Sequence, residues 1–158
     1  MKKTKARSLR KDLGYWLNRL RTEFQQSFKE RIAKEGVSLP EWSIMVSLWN
    51  GDATNVMELS RFIEVDKGAV SRTLADLEEK DLVRRKPGPD GRSYSIKLTK
   101  KGEGRMPVLA KCALQNEESY FGILRGKERK EFHKLFGKIL VGAGIVPPDE
   151  WKKENSGE

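Results

Sequence analysis

Between Asp66 and Thr99 the chain reads DKGAVSRTLADLEEKDLVRRKPGPDGRSYSIKLT, a helix-forming run that passes straight into two short strand-forming runs around a turn. No other stretch constrains the fold as much. Asp66 can cap the helix by accepting a hydrogen bond from an unpaired backbone N–H, and its charge suits the positive end of the helix dipole. Val70, Leu74 and Leu77 recur at i, i+4 and i+7 and therefore share one inward face. The opposite face carries Gly68, Ser71, Arg72, Ala75 and Asp76, small and polar with one long cation near its N-terminal end. A face of that kind lets a helix backbone lie close to a groove. Lys67 and Arg72 can reach guanine edges or phosphates, and Ser71 either kind of partner. An ordinary amphipathic surface helix has the same pattern, so the helix must be read together with its flanks.

Downstream, Leu82-Val83-Arg84-Arg85-Lys86 reads as a strand. Tyr94, Ile96 and Leu98 alternate with Ser95 and Lys97 in the period-2 pattern of a half-buried second strand. Pro87-Gly88-Pro89-Asp90-Gly91-Arg92 between them is a dense turn signal. The hairpin thus projects a basic tip. Arg92 is the residue placed for a minor groove, where a guanidinium gains from the negative potential. Asp90 can pair with Arg92 and hold it extended, or act as a plain turn-former. Upstream, Asn55-Val56-Met57-Glu58 has capping-box spacing and opens a short helix through Leu59, Phe62 and Ile63. Glu64-Val65-Asp66 then bends directly into the first helix described. Two short helices joined so tightly form a helix-turn-helix, with the second positioned as the reader.

The run D-x-G-x-V-S-R-x-L-x-x-L-E-x-x-x-L-V-x-R, followed by D-x-R and L-T, resembles the winged helix-turn-helix of the multiple antibiotic resistance regulator (MarR) family. It is carried here by Asp66, Gly68, Val70, Ser71, Arg72, Leu74, Leu77, Glu78, Leu82, Val83, Arg85, Asp90, Arg92, Leu98 and Thr99. Gly91 departs from the pattern, since many members carry another Arg there, and this leaves more of the wing's work to Arg92. The likeness is sharp from Leu59 to Gly102 and coarser from Leu9 to Leu140. It implies a homodimer on a pseudo-palindromic double-stranded DNA operator, with the first and last two helices of each chain interlocked. By the same resemblance Ser71 and Arg72 are expected in the major groove, and Lys67, Gly68, Arg84 and Arg85 on the DNA backbone. Asp90 and Arg92 fall to the wing. Regulators of this kind often respond to a small aromatic or phenolic anion held between dimer region and DNA-binding lobe, for which Trp16, Trp42 and Trp49 are the candidate wall.

Charge agrees with a polyanionic partner. The chain has 158 residues and a net charge of +9. Lys2, Lys3, Lys5, Arg7, Arg10 and Lys11 face no acid, and between Lys80 and Arg105 nine cations face three acids. Each phosphate that such cations neutralise releases counterions and strengthens binding. A solubilising tail and a solvated hairpin are the bland alternatives. Non-specific architectural DNA binding, suggested by the basic arm, and a protein-interaction module are the alternative functions.

The remaining segments read as helices. Leu9, Leu13, Trp16, Leu17, Leu20, Phe24 and Ile32 keep helical spacing from Leu9 to Glu35, a rod of about 40 Å whose stripe outruns a small core and is expected to meet a second chain. Ser38 and Glu41 have capping-box spacing, after which Trp42, Met45, Val46 and Trp49 are expected to share the core face until Gly51. Thr99 is a plausible N-cap for a helix through Met106, Leu109, Cys112 and Ala113, with a kink or late start expected at Pro107. A last helix, about Lys127 to Val141, sets Phe132, Leu135, Phe136, Ile139 and Leu140 on one stripe before Gly142 and Pro147-Pro148.

The expected architecture is mainly α with a small β-hairpin wing: a basic arm (1–8), helical dimerisation segments (9–37 and 100–146), a winged helix-turn-helix lobe (38–99) and a C-terminal tail (147–158). One histidine, His133, and one cysteine, Cys112, offer no metal cluster and no disulfide. Some MarR regulators sense oxidants through a cysteine near the start of the first helix, where this chain has none; Cys112 is expected to be a small buried hydrophobe. No phosphate loop or dinucleotide fingerprint occurs, so neither an enzyme nor a cofactor is expected. No apolar run approaches a membrane span and no apolar secretory region follows the basic start, so a cytoplasmic protein is expected.

Overall fold

The computed structural model describes residues 8–87 and 94–155. A single 3-10 turn, Leu9–Lys11, precedes α1, Leu13–Ala33, whose first turn is capped by the Asp12 carboxylate accepting from the Tyr15 N–H. The long helix expected from Leu9 is therefore broken at Asp12. That residue is extended, and as an N-cap it starts a new helix instead of continuing the old one. α2, Leu39–Asn50, begins with the full capping box expected of Ser38 and Glu41 and stops at Gly51, whose φ of 78° suits only glycine comfortably. α3, Val56–Phe62, is capped by Asn55 on the Met57 and Glu58 N–H groups. The Glu58 carboxylate returns one residue further than a capping box would, to the N–H and hydroxyl of Thr54.

After the bend at Glu64, α4 runs Lys67–Glu79 with Asp66 accepting from the Ala69 N–H. Val70, Leu74 and Leu77 are fully buried, as their spacing requires. β1, Val83–Pro87, and β2, Tyr94–Leu98, form an antiparallel hairpin in which Val83 faces Leu98 and Arg85 faces Ile96. The Ile96 N–H also donates to the Thr54 carbonyl at 2.7 Å, tying the hairpin to the segment before α3. Thr99 then serves two ends at once: its hydroxyl donates to the Asp81 carbonyl at 2.6 Å and accepts from the Gly102 N–H at 3.0 Å. That caps α5, Lys100–Phe121, which runs unbroken through Pro107. The late start anticipated at Pro107 does not occur, because Thr99 nucleates the helix two turns earlier.

The chain divides into two compact units at Asn116 and Glu117. In the first, one core joins Phe28 and Ile32 of α1, Ile44 and Met45 of α2, Leu59 of α3, the α4 stripe, Val83, Ile96 and Leu98 of the hairpin, and Met106 and Leu109 of α5. Cys112, half-buried, packs against it. In α2, Glu41, Ile44, Met45 and Ser47 are buried and the expected Trp42 and Val46 pack against the core partly buried, but Trp49, also expected there, is 51% exposed. Glu41, a charged residue, turns inward because Ser38 and a lysine satisfy it.

The second unit contains the end of α5, α6 (Lys127–Gly142) and α7 (Pro148–Asn155). Phe121, Phe132 and Phe136 stack in sequence, and Arg129 pairs with Glu117 and Glu118, which raise its pKa, the Glu118 hydrogen bond most. The segment from 147 is a helix over most of its length, since Pro148 starts α7 instead of merely ending what precedes it. Trp151 of α7 lies on Gly137 of α6, where a Cβ would meet the indole at 2.3 Å.

Candidate nucleic-acid interface

The helix-turn-helix places α4 with its apolar stripe in the core and Lys67, Gly68, Ser71, Arg72, Ala75 and Asp76 exposed. All four residues expected on this helix therefore lie on one solvent-facing surface. Gly68 keeps that surface low. A Cβ there would stand 3.1 Å from the Asp66 carboxylate and 3.5 Å from the Arg72 guanidinium. Neither Lys67 nor Arg72 has an ion-pair partner among the described residues, so their charge is available to an external anion.

The turn that orients α4 is tightly held. The Val65 N–H donates to the Ser60 carbonyl at 3.1 Å, and the Ser60 hydroxyl donates back to the Val65 carbonyl at 2.7 Å. Glu64 between them takes a φ of 54°, a conformation that costs a non-glycine residue about 1–2 kcal/mol and that the surrounding bonds impose.

The two strand cations differ. Arg85 faces Ile96 across the hairpin, on the core side, and its Nε pairs with the Glu78 carboxylate of α4 at 3.1 Å. It braces wing to helix, so a phosphate would have to compete with Glu78. Arg84 is on the outer face directly opposite Lys97, and neither has an ion-pair partner among the described residues. Like charges across a strand pair repel unless an anion lies between or near them. Lys97 was not singled out from the sequence as a contact residue; its register opposite Arg84 is the signal, and that needs the pairing. Asp90 and Arg92 lie outside the described residues, as do the first seven residues of the arm.

A model of the MarR family matches residues 37–93, which contain α2, α3, α4 and β1. Over that stretch the chain is similar to the MarR family. Among relatives, it is 25% identical to the HTH-type transcriptional regulator MgrA of Staphylococcus aureus over 135 residues, 84% of this chain and 90% of that one. A MarR transcriptional regulator from Methanosarcina mazei Go1 superposes with a TM-score of 0.73 at 25% identity, covering 84% of this chain and 96% of the other. The fold is also that of CouR from Rhodococcus jostii RHA1, solved bound to p-coumaroyl-CoA, with a TM-score of 0.75 at 17% identity over 87% of this chain and 96% of CouR. The matched family, these relatives and the shared fold are those of transcriptional regulators with a winged helix-turn-helix.

The three tryptophans proposed as a ligand wall have separate surroundings. Trp16 is 47% exposed; its indole N–H donates to the Arg10 carbonyl at 2.9 Å and its ring meets Tyr15 edge-on. Trp42 packs edge-on against Phe28 with centroids 5.7 Å apart. Trp49 stands beside a cleft of about 350 Å³ lined also by Thr54, Ile96, Lys97, Leu98 and Glu103. No group of residues suited to hold a metal occurs among the described residues, and no described helix is long and apolar enough to cross a membrane.

Proposed function

We propose that this regulator binds a pseudo-palindromic operator as a homodimer, each chain setting α4 in a major groove and its wing in the adjacent minor groove. The observation that carries the reading is the split of α4. Val70, Leu74 and Leu77 are wholly buried while Lys67, Ser71 and Arg72 stand exposed and unneutralised beside a hairpin that presents Arg84 and Lys97. Ser71 and Arg72 read bases, Lys67, Gly68 and Arg84 hold phosphates, and Arg92 enters the minor groove. Two-fold symmetry sets the half-sites about one helical turn apart, roughly 34–36 Å.

The homodimer is supported by apolar surface that a single chain leaves in water. Leu13, Leu17 and Leu20 on α1 are exposed, and so are Leu135, Phe136 and Ile139 on α6. Stripes of this size on separate helices are costly to leave solvated. For the effector, the cleft beside Trp49 combines an aromatic wall with the Lys97 ammonium, a pairing suited to an aromatic carboxylate. An anion engaging Lys97 there withdraws that cation from DNA, which gives the differential affinity that release requires.

Sedimentation of the protein with duplexes selected from a random library tests the reading. Two chains per duplex, on sites with inverted symmetry, are expected. One chain per duplex, or selected sequences without a common motif, would contradict it and favour architectural binding.

A further inference from the structure

The C-terminal end of α4 is gripped by three other segments through one residue. Lys80 follows the last residue of the helix, and its ammonium donates to the Glu41 carboxylate at 2.7 Å and to the Gly36 carbonyl at 3.0 Å. Its own carbonyl accepts from the Lys101 ammonium of α5 at 2.8 Å. Glu41 is only 3% exposed, and its second oxygen accepts from the Ser38 N–H at 2.7 Å, so it is fixed at both ends. The same turn between α1 and α2 is held from the other side by Arg105 of α5, which donates to the Glu35 carbonyl and carboxylate. Lys80 is thus where the α1–α2 turn, the end of α4 and the start of α5 meet.

Apolar packing is non-directional, so the buried stripe of Val70, Leu74 and Leu77 does not by itself set the direction of α4. Charge-assisted hydrogen bonds fix direction as well as distance. They act here at one end of a helix about 20 Å long, whose other end carries Lys67, Ser71 and Arg72. A tilt of about 10° at the anchored end would carry the exposed end through roughly 3 Å, close to the rise of one base pair.

We propose that Lys80, seated on Glu41, is a positioning residue that sets the angle of α4 and so determines which half-site spacing the dimer accepts. The inference rests on the dimeric operator reading above. Its test uses the full chain, with a duplex selected by the wild-type protein from a random library and four derivatives in which the half-site separation is changed by one or two base pairs in each direction. Wild-type protein is expected to lose at least about tenfold in affinity per base pair of misplacement. Lys80→Met is expected to bind the parent duplex more weakly while discriminating less than about threefold among the one-base-pair derivatives. Lys80→Arg should keep the wild-type profile. Lys101→Met removes only the bond to the Lys80 carbonyl, leaves Glu41 paired, and should broaden the profile by a smaller amount even if Lys80→Met does not fold. A uniform loss across all five duplexes, in either variant, would make Lys80 merely structural or electrostatic and overturn the proposal. A wild-type profile indifferent to spacing would instead overturn the two-half-site reading, and the proposal with it.

Discussion

Arg72 carries the most specific expectation at the level of single residues. It is exposed on α4, without an ion-pair partner among the described residues, and nothing in the core depends on it. Arg72→Ala is expected to weaken operator binding by about 1–3 kcal/mol, roughly 5- to 150-fold, with an unchanged far-ultraviolet spectrum and melting temperature. Unchanged binding would remove Arg72 from the interface. Glu41 is the opposite case, a charge inside the protein. Burial pushes its pKa up, but hydrogen bonds from Lys80 and from Ser38 outweigh that and hold it below the ordinary 4.5. A carboxyl lowered on folding stabilises the native state fully above its unfolded value and loses that contribution as pH falls through the folded one. Denaturation between pH 7 and 3 should show stability falling below about pH 4.5, with a shallower slope in Glu41→Gln. An identical slope would mean that Glu41 is not linked to folding.

Junctions between elements depend on close backbone approach. Gly102, in the first turn of α5, passes so near the Leu82 carbonyl that a Cβ would stand 2.1 Å from it, and that carbonyl already accepts from the Thr99 N–H. Backbone cannot swing aside as a side chain can. Gly102→Ala is expected to destabilise by about 1–3 kcal/mol, seen as a melting temperature lower by at least about 3 °C, despite alanine's better helix propensity. An unchanged melting temperature would show that α5 can slide freely. Local signals made several elements legible in advance. Ser38, Asn55, Asp66 and Thr99 each cap the helix expected of them, and the α4 stripe is buried as spaced. What escaped depends on partners distant in sequence. The burial of Glu41 was not legible in its capping-box spacing, because the lysine that satisfies it lies 39 positions away. Trp49 was set in the core by its spacing alone. The role of Lys97 opposite Arg84 needed the strand register, and α7 was hidden because Pro147-Pro148 reads equally as a stop and as a start.

For the molecule as a whole, the central expectations are a dimer and specific DNA recognition. Leu17, 58% exposed on α1, belongs to a surface without cover in a single chain. Leu17→Glu would place a carboxylate in the proposed interface at little cost to the isolated helix. Sedimentation should find a monomer of normal helical content with operator binding reduced at least about 100-fold, because a lone chain engages one half-site only. A variant that remains dimeric would move the interface elsewhere.

The most direct test of the account is fluorescence anisotropy of the purified protein on its own upstream intergenic DNA and on a scrambled duplex, titrated with salt. Specific regulation predicts a preference of about 10³-fold or more for the native sequence, with a steep fall in affinity as salt rises. Equal affinity for both duplexes would contradict specific recognition at that site, and absence of binding at low salt would contradict DNA binding itself.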